Sequence, residues 1–145
     1  MLEVQRSTTV RRQLADVVDY LSDFANTELW DAGTKSCHRI DSGPVQPGAR
    51  WENVSEFRGK ETTIEYTLIR QEPTRLTFTG ANKTVSTVDD LSFEPDGSQT
   101  RIRYTARFTF HGLAKLAQPF VKASLDKLAD DTIAQLTRVI DEQAV

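Results

Sequence analysis

Cysteine is nearly missing from this chain: of 145 residues, one is cysteine, Cys37, and two are histidine, His38 and His111. No intrachain disulfide, no CxxC redox pair and no cysteine or histidine cluster with zinc-ligand spacing can be written from so few. Neither a metal nor any other cofactor is expected. Long apolar runs are missing too, because no uninterrupted apolar stretch exceeds three residues, against the roughly 20 needed to cross a bilayer as a helix. Met1-Leu2-Glu3-Val4 also lacks the charged and apolar regions of a secretory leader, so no integral membrane segment and a cytoplasmic location are expected. The third absence is an excess of one charge. With 18 basic and 21 acidic side chains, a net charge of −3, nothing in the composition drives attraction to a phosphate backbone, and nucleic acid is not an expected partner. What remains is 38% hydrophobic content, enough for one core and one domain over residues 1–145.

The apolar residues fall into three patterns. Residues 2–8 suit a short opening strand ending at Ser7-Thr8-Thr9, with Thr9 as N-cap of a helix over 10–21 whose stripe is Leu14, Val17, Val18 and Leu21. Ser22-Asp23 caps a second, shorter helical turn reaching Asn26 to Glu28 before Trp30-Asp31-Ala32-Gly33 breaks it. From residue 34 the period changes from helical to alternating, and eleven of the seventeen threonines lie between 62 and 109, as half-buried strands favour. Turn residues divide this part into six strands, at about 34–41, 49–58, 61–71, 75–81, 84–94 and 99–110, joined by connections short enough for an antiparallel meander. The last segment, 113–142, carries Leu113, Leu116, Phe120, Val121, Leu125, Leu128, Ile133, Leu136, Val139 and Ile140 at helical spacing. Pro119 within it predicts a kink or the start of the regular helix.

Alternation sorts the strand residues into two faces. Ile102, Tyr104, Ala106, Phe108 and Phe110 point one way on the last strand, and Arg101, Arg103, Thr105, Arg107 and Thr109 the other. The same parity selects Ile64, Tyr66 and Leu68; Leu76, Phe78 and Gly80; Val85, Thr87, Asp89, Leu91 and Phe93; and Trp51, Asn53, Ser55 and Phe57 as inward. Asn53, Ser55, Thr87 and above all Asp89 are polar groups on buried faces, where an unpartnered carboxylate costs several kcal/mol. One helix cannot fill the concave side of a twisted sheet of this size, so a pocket with an apolar lining and a few polar groups is expected.

Several stretches resemble a known family. Tyr20-Leu21-Ser22-Asp23-Phe24-Ala25-Asn26 followed by Trp30-Asp31, then Gly48-Ala49-Arg50-Trp51, Glu72-Pro73-Thr74-Arg75-Leu76 and Phe110-His111-Gly112-Leu113, are similar to landmarks of the START-like superfamily, SRPBCC, in its polyketide cyclase/dehydrase and lipid transport branch. The resemblance implies an α+β helix-grip fold, also called Bet v 1-like: a seven-stranded antiparallel sheet wrapped around a long C-terminal helix, with two short helices after the first strand. It implies a hydrophobic or amphipathic small molecule as partner, held between sheet and helix. It does not identify a catalytic set, because the family shares none.

On this reading the ligand-binding residues are Trp30, Trp51, Asn53, Ser55, Tyr66, Phe78, Asp89, Tyr104, Phe108, Phe120 and Leu128, with Trp30 at the rim of the cavity and Asp31 capping the turn after it. The candidate chemistry is a trio. Tyr66 and Tyr104 would orient or protonate a carbonyl, and Asp89 would act as a base once desolvation raises its pKa. Cys37-His38 is not a thiolate–imidazole pair, since strand neighbours project to opposite faces. Three functions stay open at this point: a binding protein, a polyketide cyclase or dehydratase, and a protein-interaction module using the outward arginines 101, 103 and 107.

Overall fold

The computed structural model describes residues 1–142. Strand β1 (Leu2–Val10) leads into helix α1 (Leu14–Ser22), a 3-10 turn (Phe24–Asn26) and the short α2 (Thr27–Trp30). Strands β2 (Thr34–Arg39), β3 (Arg50–Phe57), β4 (Lys60–Glu72), β5 (Arg75–Ala81), β6 (Val85–Asp96) and β7 (Gln99–Phe110) follow, then a 3-10 segment (Gly112–Ala117) and the long α3 (Gln118–Glu142). All seven strands form one antiparallel sheet in the order β1-β7-β6-β5-β4-β3-β2. The expected meander is present, and β1 closes onto β7 so that the sheet curls around α3. Register shifts between Leu68 and Arg70 and between Thr34 and Ser36 add to the curl. Among the described residues no helix is long and apolar enough to cross a membrane.

The boundary between the opening strand and the first helix differs from expectation. The opening strand runs to Val10 and the helix starts at Leu14, so Thr9 is not an N-cap; it pairs with Arg101, while Val10 beside it is fully buried. Tertiary pairing outweighs the local capping signal: Thr100 Oγ1 donates to the Arg12 carbonyl at 2.8 Å and holds the chain extended past residue 10. The second cap is as expected, with Asp23 Oδ1 accepting from Ala25 N at 3.1 Å.

In the C-terminal segment Pro119 marks the start of the regular helix, one of the two effects expected of it: α3 begins at Gln118, with Pro119 in the first turn where a missing N–H costs nothing. Val121, Leu125, Thr132, Leu136 and Ile140 form the buried stripe, whereas Leu113, Leu116 and Phe120 are 86%, 72% and 75% exposed. Phe120 and Val121 are adjacent on a helix and lie about 100° apart, so only one can face the sheet. Val121 does.

Candidate functional site

The concave face of the sheet divides along its length. At one end Trp51, Leu68, Leu76, Phe78, Leu91 and Ile102 are fully buried, covered by α1 and by Phe24, whose ring lies 4.5 Å from Phe78 and 4.4 Å from Tyr66, centroid to centroid. This end is solid core. Toward the other end, under α3, the inward residues of the same strands line a cavity of about 260 Å³. Its walls include Val4, Ile64, Tyr66, Ala106, Phe108 and Phe110 from the sheet and Leu125, Leu128 and Ala129 from α3. The exposed residues Glu56, Lys60 and Thr84 place its mouth beside the β3–β4 and β5–β6 turns.

The polar groups in this lining are few and placed by identifiable contacts. Asp31, just after α2, accepts from Thr34 Oγ1 at 2.6 Å and from Thr132 Oγ1 on α3 at 3.0 Å, and the Thr132 oxygen accepts in turn from Ala32 N at 3.2 Å. Asn53 Nδ2 donates to Thr34 Oγ1 at 3.0 Å and to Thr27 Oγ1 at 3.3 Å. This chain ties β3, β2 and α3 together, so Asn53 and Asp31 have structural work independent of any ligand.

Asp89 is different. It is 6% exposed, and its hydrogen bond from the Tyr104 hydroxyl at 3.2 Å reaches only Oδ1. Burial first, and then the nearby Asp31 charge, push its carboxyl up to about 7. Burial and the Asp89 charge hold the Tyr66 and Tyr104 phenols well above their usual range, so both are neutral hydrogen-bond donors. Arg6, a cation in the lining, is engaged by Asp130 at 2.7 Å and Asp126 at 3.4 Å. Two further lining atoms, Trp30 Nε1 and Thr87 Oγ1, are buried and have no hydrogen-bond partner among the described residues. Native interiors leave few such atoms unpaired.

Of the residues expected to bind ligand, Trp30, Asn53, Ser55, Tyr66, Asp89, Tyr104, Phe108 and Leu128 line the cavity. Trp51 and Phe78 do not: they share the correct face but sit at the filled end, where Trp51 Nε1 donates to Asp23 Oδ1 at 3.0 Å. Phe120 points to solvent for the helical-phase reason given above. Trp30 is not at the rim either; it is 1% exposed and stands edge-on to the Tyr104 ring, centroids 5.9 Å apart. Thr132, Gly33 and Arg6 are lining residues that sequence reasoning missed. The signal for Thr132 was available, since it falls seven residues after Leu125 on the buried stripe.

The remaining candidates disperse. Cys37 is buried with its thiol pushed by burial up to about 11, while His38 faces outward beside Glu52. Asp90 turns outward to a bidentate pair with Arg75 at 3.0 and 2.7 Å. Of the outward arginines, Arg101 and Arg107 pair across strands with Glu94 and Glu3, the arrangement that directly opposed residues favour. Among the described residues no three His, Cys, Asp or Glu side chains stand together as a metal site.

Gly80 explains how Tyr66 reaches the cavity. The two are cross-strand partners, and a Cβ on Gly80 would stand 2.8 Å from Tyr66 Cε1, 2.8 Å from Ile64 Cγ2 and 2.9 Å from Thr87 Oγ1. The Tyr66 ring therefore lies on bare backbone. Gly80→Ala is expected to destabilise the fold by ~1–3 kcal/mol through overpacking, read as a lower urea midpoint; an unchanged midpoint would show that the floor yields freely.

Fold and site together define a helix-grip protein with an internal, mostly apolar cavity. The family model described as "Polyketide cyclase / dehydrase and lipid transport" matches residues 1–141, and the chain belongs to that family. Solved structures of the same fold include a START superfamily protein from Mycobacterium smegmatis (14% identity, TM-score 0.80, covering 97% of each chain). Another is the Zhui aromatase/cyclase from Streptomyces sp. R1128 (12% identity, TM-score 0.78, 94% of this chain and 92% of that one). The di-domain aromatase/cyclase StfQ of the steffimycin pathway matches over 98% of this chain and 51% of its own, at 10% identity and TM-score 0.71. No curated protein matches. At these identities the structural likeness speaks for the fold.

Proposed function

We propose that this protein binds a hydrophobic or amphipathic small molecule in the cavity between the sheet and α3. The observation that carries this reading is the pairing of an apolar wall with buried polar atoms left without partners, Trp30 Nε1 and Thr87 Oγ1. A ligand carrying oxygen or nitrogen near one end of an apolar body would satisfy both and exclude water from the rest. Native mass spectrometry of protein purified from its own host, followed by extraction, is expected to reveal a bound apolar molecule of defined mass. A persistently empty interior that also takes up no apolar probe such as ANS would reject the reading.

A second reading is favoured by one specific feature, the Asp89–Tyr104 contact in the same cavity wall as Tyr66. Here the protein is a polyketide cyclase or dehydratase. Asp89 as carboxylate takes a proton from the carbon between two carbonyls of a bound poly-β-carbonyl chain, and a tyrosine hydroxyl donates to the oxygen on which the enolate charge develops. The enolate carbon attacks a second carbonyl carbon of the chain, whose oxygen takes the proton back from Asp89 and becomes a hydroxyl. Asp89 then removes the remaining proton from the attacking carbon and passes it to the departing hydroxide, so that water leaves and a carbon–carbon double bond remains. A carboxyl poised near neutrality suits both halves of that exchange. Positioning of the chain would supply much of the rate. Turnover of a synthetic poly-β-carbonyl substrate tests it.

The protein-interaction reading has less behind it, since two of the three arginines it relied on are engaged within the sheet.

A further inference from the structure

The three apolar side chains that α3 and its leading 3-10 segment leave in solvent are not scattered. Of the large hydrophobic residues exposed among the described residues, Leu113, Leu116 and Phe120 lie within eight residues of one another, at spacings of three and four that place them on one side of the segment. The rest, Met1, Leu29, Ile40 and Ile69, are single residues far apart in the chain. The cluster stands at the cavity mouth: Arg58 Nη1, on the β3–β4 turn, donates to the Phe120 carbonyl at 3.3 Å, and His111 N donates to the Thr84 carbonyl of the β5–β6 turn at 2.8 Å.

Charge is distributed in the same uneven way. The chain carries a net charge of −3, yet residues 111–125 contain no Asp or Glu, and neither do 57–60 or 79–88. These three stretches converge on the mouth and supply Arg58, Lys60, Lys83 and Lys115, all exposed. The acidic groups nearest on the hairpin, Glu56 and Glu61, are both held by Lys35, at 3.1 and 2.7 Å.

An exposed apolar cluster rimmed by unopposed basic side chains is the pattern of a surface that enters the headgroup region of an anionic bilayer. We infer that the cavity-mouth end of this protein docks on anionic lipid surfaces, with Leu113, Leu116 and Phe120 inserted among the headgroups and Lys60, Lys83 and Lys115 facing lipid phosphates. An acidic protein partner would use the lysines equally well, but it has less use for three apolar side chains that stand 72–86% exposed. Docking here would open the cavity mouth directly onto the membrane surface. The inference goes beyond ligand binding and does not depend on it, since the surface lies outside the cavity.

The test is co-sedimentation with phosphatidylcholine vesicles, pure or containing about one third phosphatidylglycerol, at low and high salt. Each basic side chain at an anionic surface multiplies partitioning by about fivefold, so wild-type protein is expected to favour the anionic vesicles by more than tenfold, and to lose this in high salt. The double variant L116D/F120D is expected to lose most vesicle binding. K83E/K115E should bind both vesicle types alike. Ile69→Asp, at an exposed apolar residue outside the cluster, should change nothing. Because every substituted side chain is exposed, folding is checked simply by circular dichroism. Absence of vesicle binding, equal binding to both compositions by the wild type, or indifference to the L116D/F120D change would each overturn the proposal.

Discussion

Asp89→Asn is expected to make the protein more stable at pH 8 and to shrink the loss of stability between pH 5 and pH 8. In the folded chain the Asp89 carboxyl titrates at about 7 because burial and the Asp31 charge disfavour its ionised form; in the unfolded chain it titrates near the ordinary value of about 3.9. The folded state thus holds the proton more tightly. The associated stability is fully present below about pH 4 and is lost as pH rises through about 7, a span worth about 4 kcal/mol if no other group compensates. Asn cannot ionise, and its carbonyl oxygen still accepts from the Tyr104 hydroxyl. Asp41, Asp90 and Asp126 act with the opposite sign, since Arg39, Arg75 and Lys122 lower their carboxyls and their contribution fades in acid. They are common to both proteins and cancel in the difference. Urea denaturation of wild type and variant at pH 5 and pH 8, on protein refolded to strip any carried ligand, measures it. Equal pH dependence in the two proteins would mean that Asp89 is not held as the structure describes. If the cyclase reading holds, the same substitution also lowers turnover by ~100-fold, the loss typical of a general acid–base residue. Unchanged turnover would leave the cavity as a binding site only.

Ala129→Trp is expected to reduce uptake of an apolar ligand or probe by at least ~100-fold while leaving the protein folded. Ala129 lies on α3 with its half-buried side chain at the cavity wall, next to Leu128 and one turn from Leu125. An indole there occupies space now available to ligand. Because it enters existing volume, the cost in stability should stay within the ~1–3 kcal/mol of core overpacking. Ala123→Trp on the exposed face of the same helix is the control, and surface changes of this kind alter stability by less than about 0.5 kcal/mol. Displacement of a fluorescent probe, titrated against both variants and the wild type, separates the outcomes. Undiminished binding to Ala129→Trp, with its fold intact, would place the ligand elsewhere on the protein.

The sequence by itself determined which residues face inward. Alternation along a strand follows from backbone geometry at each residue, so Tyr66, Thr87, Asp89, Tyr104 and Phe108 could be assigned to the concave face from parity alone, and that is where they lie. The polar residues on the inward faces also implied a cavity. Tertiary structure decided how the inward face is shared between core and cavity. Trp51 and Phe78 have the same parity as Asn53 and Gly80, and only the seating of Phe24 and α1 over one end of the sheet makes the first pair core. Likewise Asp31 gained its second partner, Thr132, from a residue about a hundred positions away, and the outward turn of Phe120 followed from Val121 taking the place against the sheet. Periodicity is local and can be read along the chain. Which half of a face is covered depends on contacts between residues far apart in sequence, and those exist only once the chain has folded.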